Sequence, residues 1–163
     1  MRKRLGLAAA AALLVVVASV TLASASAPKT NGSDARSVKV IRLTTVPIQS
    51  TNLDLGEKGF SQGDQEVFTD NVFRDGKKVG RSTGFAQITY VAGNTFSAQL
   101  VATVTLPRGS LTIQGAFTEN QTVGPKPFFV AITGGTGAYR TAHGQSRIEI
   151  TETGSNVTVY LIL

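Results

Sequence analysis

The sequence contains no cysteine and no tryptophan, and only one histidine and one methionine among its 163 residues. Without thiols there is no disulfide framework and no thiolate to bind metal, so packing and backbone hydrogen bonds must hold whatever fold forms. His143 is the sole imidazole. A zinc or copper site would need carboxylates at ligand spacing around it, and none is apparent, so neither a metal nor another cofactor is expected. Lys and Arg do not cluster with aromatics anywhere, which removes nucleic acid as an expected partner. No useful length of chain carries apolar residues at helical period. The one long apolar run, from Leu5 to Val20, sits at the N terminus behind Met1-Arg2-Lys3-Arg4.

That basic segment followed by an Ala/Val/Leu-rich run has the form of an export signal. Ala23-Ser24-Ala25 and Ala25-Ser26-Ala27 both offer the small-x-small pattern for cleavage. Residues 1–27 are therefore expected to be a secretory signal peptide and the mature protein to be extracellular. The run is short for a bilayer span, so no stable membrane insertion is expected after cleavage. Losing Arg2, Lys3 and Arg4 leaves 13 basic against 10 acidic residues, and the formal charge falls from +6 to +3. Residues 28–37, polar and without periodicity, read as a disordered tether. The 136 residues left after the leader suffice for one domain, placed at 38–163.

That domain reads as strand after strand. Strands are predicted at 38–46, 65–73, 78–91, 95–105, 110–118, 127–133, 143–151 and 156–163, with a polar loop from Ser50 to Gly63. Asp75-Gly76 is a hairpin signal, because both residues accept the positive φ that matches strand twist. Phe128 to Thr133 is an apolar run that stops at Gly134-Gly135-Thr136-Gly137, and Ser146, Ile148 and Ile150 then alternate with Arg147, Glu149 and Thr151. Two strands joined by a glycine turn explain that pattern. Eight antiparallel strands in so short a chain favour closure into a single all-β barrel, which removes exposed edges. A barrel of this size is filled by side chains or holds one small ligand. Periodicity alone leaves open which face of each strand lines the interior.

Apolar strand, Gly134-Gly135-Thr136-Gly137, Tyr139-Arg140 and Ala142-His143-Gly144 together resemble the hallmark of the allene oxide cyclase barrel and of dirigent proteins. Gly63 to Asn71, followed by Asp75-Gly76-Lys77-Lys78-Val79-Gly80, resembles the strand and hairpin that open the same barrel. Leu106 to Gly115 falls where those families carry a hairpin and a glycine-ended strand. The resemblance covers Gly63 to the C terminus. It implies a cavity for a small, largely apolar molecule, and a cyclase, isomerase or stereo-directing protein, commonly a homotrimer. The residues by themselves leave open a non-catalytic ligand-binding or structural barrel.

Asp70 is the foremost candidate for chemistry. It alternates with Phe68 and Val72, so it shares their face, and a carboxyl in an apolar cavity has a raised pKa suited to proton transfer or to steering a cation. Dirigent proteins carry a cavity aspartate in this strand, and the resemblance implies the same for Asp70. Tyr139 and Arg140, directly after the glycine turn, are the second candidates. Phe68, Phe85, Phe96 and Phe117 are expected to line the cavity, with Gln87 and Tyr160 as polar partners for a ligand. Two departures from the families stand out. The first strand, Val38 to Thr45, lacks the glutamate with which allene oxide cyclases start their reaction, and His143 replaces a dirigent arginine. Gly59-Phe60-Ser61-Gln62-Gly63 matches G-x-S-x-G, but a nucleophile elbow needs a strand-to-helix turn on a parallel sheet, which nothing here predicts.

Overall fold

A computed structural model describes residues 37–163. The export signal of residues 1–27 and all of the tether but Ser37 lie outside the described residues. Eight strands follow one another: β1 (Lys39–Leu53), β2 (Gln65–Arg74), β3 (Lys77–Ala92), β4 (Thr95–Leu106), β5 (Gly109–Asn120), β6 (Phe128–Gly135), β7 (His143–Thr151) and β8 (Gly154–Ile162). Each pairs antiparallel with its neighbour in sequence, and β8 pairs back onto β1 from Lys39↔Leu161 to Thr45↔Ser155, closing the barrel. One 3-10 turn, Gly137–Tyr139, is the only helical element among the described residues.

Seven of the eight strands lie within two residues of their expected bounds. β1 differs. It runs on through Pro47 to Leu53, where the sequence suggested a strand ending at Val46 and a loop from Ser50. Proline has no N–H to give a ladder and is tolerated in a strand at a bulge. Here the β1–β2 register shifts between Pro47 and Gln49, and pairing then resumes from Gln49↔Thr69 to Leu53↔Gln65. The Asp75-Gly76 turn behaves as expected: Asp75 has φ 50° and Gly76 φ 73°.

The two ends of the barrel are built differently. One end gathers the β2–β3, β4–β5 and β6–β7 connections, and inward side chains pack it solid, with Leu161, Leu111 and Val72 at 0%, 2% and 1% exposure. Ile41, Val130, Ile132 and Val159 complete that plug. The glycine turn between β6 and β7 lies across it. Gly137 has φ 57°, and a Cβ there would run into the Arg108 carbonyl oxygen of the β4–β5 hairpin, so only glycine lets the two connections approach. The other end gathers the β1–β2, β3–β4, β5–β6 and β7–β8 connections and is hollow.

Truncation within the plug should be costly because the closed barrel cannot collapse around a void. Leu161→Ala is expected to lose about 2–5 kcal/mol of stability, whereas Val67→Ala on the outer face is expected to stay within about 0.5 kcal/mol. Urea denaturation of the two variants checks this, and equal losses would place the core elsewhere.

Candidate functional site

The hollow end exists because inward positions there are small. Ser82, Gly84 and Ala86 on β3 stand opposite Val104, Ala102 and Leu100 on β4, and Gly115 on β5 stands opposite Leu100. Leucine or phenylalanine at these places would fill the lumen of an eight-stranded barrel. What remains is a cavity of about 420 Å³ walled by Phe68, Asp70, Val72, Ala86, Leu100 and Ala102, among others. Phe128, Ile148 and Val157 close its far side. A second hollow of about 510 Å³ lies under the β1–β2 loop, and Glu66, Ala86, Phe117 and Ile150 wall both.

A row of aromatic rings runs through both hollows. Phe60, from the β1–β2 loop, meets Phe96 edge-on at 5.2 Å between centroids; Phe96 meets Phe117 edge-on at 6.2 Å; Phe117 stacks on Phe128 at 4.6 Å and 19°. The loop that carries Phe60 is tied by a carboxylate. Asp64 accepts the backbone N–H groups of Ser61 at 2.7 Å, Leu55 at 3.1 Å and Gly56 at 3.3 Å. The bond from Ser61 is foremost in holding its pKa below the ordinary range.

Asp70 sits in the cavity wall between Pro47 of β1 and Ser82 of β3, its two cross-strand neighbours. Pro47 offers it no N–H, and Ser82, 5% exposed, lines the same wall. Partial burial raises the pKa of the Asp70 carboxyl, and the charge of Glu66 four residues earlier adds to the rise, against the pull of the nearby Thr45 hydroxyl. Glu66 points into the barrel from the same strand and accepts the Ser50 hydroxyl at 2.6 Å. Glu119, at the second hollow, is also raised by desolvation. A carboxyl held toward its neutral form among apolar side chains can give a proton or a hydrogen bond to a bound molecule, and once ionised can stabilise a positive centre.

The residues singled out from the sequence separate into three places. Asp70, Phe68 and Phe117 wall the main cavity, and Phe96 walls the second hollow beside Phe117. Phe85, Gln87 and Tyr160 lie on the outer face, because Ala86 on β3 and Val159 and Leu161 on β8 take the inward positions and side chains alternate along a strand. Phe85 there pairs across with Val67 and Val101. Tyr139 and Arg140 belong to the closed end: Tyr139 packs on the plug and Arg140 is exposed, with neither in the cavity wall. Their glycine turn joins strands at the end away from the hollow. Glu66, Glu119 and Thr45 were not anticipated, although Glu66 shares the parity of Phe68 and Asp70. Ser61 sits in the loop at the open end and His143 begins β7 at the other, so the G-x-S-x-G match assembles no triad.

Comparison with known proteins agrees with this architecture. The family model described as allene oxide cyclase barrel like domain matches residues 44–163. Among solved structures, a pyocyanin demethylase is 26% identical with a TM-score of 0.69, the match covering 76% of this chain and 99% of that one. The Diels-Alderase AbmU from Streptomyces koyangensis is 13% identical with a TM-score of 0.58, covering 80% of this chain and 70% of the other. A pterocarpan synthase dirigent protein is 19% identical with a TM-score of 0.51, covering 77% and 92%. At those identities the last two share the fold alone. No curated protein sequence matches the chain.

The raised Asp70 pKa has a signed consequence. A carboxyl whose folded pKa lies above its unfolded value favours the fold at low pH, and that contribution is lost as pH rises through the folded pKa. Asp70→Asn removes the loss, so the variant should gain in melting temperature relative to wild type as pH rises from about 4 to 7. Parallel thermal melts across that range check it; a difference that shrinks with rising pH would mean Asp70 is stabilised as the anion.

Proposed function

Because the chain belongs to the allene oxide cyclase barrel like family, we propose that it is a secreted barrel that encloses a small, largely apolar molecule and acts on it as a cyclase, isomerase or stereo-directing protein. The observation that carries this reading is the partly buried carboxyl of Asp70, set among the apolar side chains Phe68, Val72, Leu100, Ala102 and Val104 in a wall that Glu66 and Glu152 also join. The cavity of about 420 Å³ suits a molecule of modest size, and its apolar walls supply confinement. Holding a reactive molecule in one conformation can provide much of the acceleration of an intramolecular reaction. Asp70 adds the chemical group. Protonated, it delivers a proton or hydrogen bond to an oxygen or nitrogen of the substrate; ionised, it steadies positive charge that develops on carbon or nitrogen. Partial burial, and after it the charge of Glu66, raises the pKa of Asp70.

The structural relatives support the barrel and leave the reaction and the substrate open. Those under 25% identity supply the barrel only, while the pyocyanin demethylase, at 26%, makes pyocyanin the first small molecule to offer. Three proteins, wild type, Ala86→Leu and Asp70→Asn, should be titrated with pyocyanin and then with a panel of small apolar aromatics, following both binding and conversion. Ala86 walls both hollows, so leucine there should weaken binding at least about tenfold by occupying the space a ligand needs. Asp70→Asn should bind nearly as wild type and convert about 100-fold to 10,000-fold more slowly. Binding unaffected by Ala86→Leu would put the ligand outside the barrel. Tight binding with no conversion by wild type would make the protein a carrier.

A further inference from the structure

We propose that the cavity selects an organic cation, a molecule with an apolar or aromatic body bearing a positive charge, and discriminates against anions. This rests on the reading that the barrel encloses a small, largely apolar molecule, and adds the sign of that molecule's charge.

The first observation is where the charges lie. Residues 37–163 contain 11 Lys and Arg against 9 Asp and Glu, yet the walls of the two hollows carry six carboxylates and not one Lys, Arg or His. Asp70 and Glu152 face the main cavity, Asp54, Asp64 and Glu119 the second hollow, and Glu66 both. A domain with a slight excess of basic residues has thus placed two-thirds of its acids around these two adjoining hollows and all of its bases elsewhere.

The second observation is that these acids are left without counter-charge. Among the described residues the ion pairs are Arg74–Asp75 at 3.7 Å and Arg147–Glu149 at 2.8 Å, both on carboxylates outside the hollows. Asp64 and Asp54 are spent on backbone N–H groups of the loop, but Glu66 has only the Ser50 hydroxyl. Asp70 and Glu119 are partly desolvated, and burial without a cationic partner disfavours their charged form. A positive ligand restores what burial removed. The acids are also spread along the walls: among the described residues no three of His, Cys, Asp and Glu come together as metal ligands. A dispersed negative field suits a delocalised charge on an organic framework better than a point ion.

The third observation is the aromatic row. Phe60, Phe96, Phe117 and Phe128 present ring faces and edges from the loop inward. Ring faces attract cations as well as apolar surface, most strongly where water is thin. Glu66 and Phe117 both wall the two hollows, so at that boundary a carboxylate and an aromatic ring flank the same space. A cationic ring seated there has an aromatic partner and a carboxylate at hand, while an anion meets only repulsion.

The test uses three probes of one shape and different charge: N-methylacridinium, acridine at a pH of about 8 where it is neutral, and acridine-9-carboxylate, each followed by fluorescence titration of the full chain. The cation is expected to bind at least about tenfold more tightly than neutral acridine, and the carboxylate more weakly than either. Glu66→Gln, which keeps an acceptor for Ser50, should remove most of the cation's advantage while leaving acridine affinity nearly unchanged. Glu119→Gln should act in the same direction and guards against a folding defect in the first variant. Acridine binding as tightly as N-methylacridinium would overturn the charge preference and leave the cavity reading standing. Failure of all three to bind would overturn the cavity reading and this inference with it.

Discussion

The pairing of β8 with β1 is the constraint on which everything else in the domain depends. Seven residue pairs, from Lys39↔Leu161 to Thr45↔Ser155, turn an open meander into a cylinder. Closure satisfies the backbone groups that two edge strands would otherwise offer to other chains. It also separates an inside from an outside, so that each strand must assign alternate side chains to a lumen of fixed width. In a protein without cysteine no covalent brace shares this task, and the solid plug at one end, centred on Leu161 and Leu111, holds the cylinder shut.

A plug at one end frees the other for function. Small inward residues on β3, β4 and β5 make room, and the aromatic row from Phe60 to Phe128 gives that room a surface on which a flat apolar molecule can rest. The space contains acids and no bases, and two of those acids, Asp70 and Glu119, lose hydration there without gaining a cationic partner. Such an arrangement stores affinity for whatever supplies the missing charge, and partial burial raises the Asp70 pKa, which favours its use as a proton donor. The proposed ligand class and the proposed chemistry therefore follow from one feature, uncompensated carboxyls in an apolar barrel.

Much of the fold was legible in the sequence because strand periodicity and turn chemistry are local. Asp75-Gly76 and the glycine turn after Thr133 marked their connections directly. The second half of β1 was not legible, since Pro47 is a strand breaker unless a bulge accommodates it, and only the register with β2 reveals that bulge. Alternation put Asp70 on one face with Phe68 and Val72, and Phe117 with Leu111 and Ile113, but that the Asp70 face is the inner one was implied only by the resemblance. Phe85 and Gln87 could not be placed, because on β3 the inward set is the small one, Ser82, Gly84 and Ala86, and size rather than hydrophobicity distinguishes it; Tyr160 stands on β8 between Val159 and Leu161, which take the inward places. Tyr139 and Arg140 were drawn toward the site by the motif they follow. Which end of a barrel a turn occupies depends on the whole strand order, and this turn lies at the plugged end.

The central claim is that the barrel's open end holds a small apolar molecule beside Asp70. Native mass spectrometry of the full-length protein purified from its own host, before and after Ala86→Leu, tests it most directly. The account predicts a discrete added mass on the wild-type protein, released on denaturation, carried as a cation by a compound with an apolar framework, and missing from the variant. A bare wild-type protein that takes up nothing from an extract of that host, or an adduct that Ala86→Leu retains in full, would contradict it.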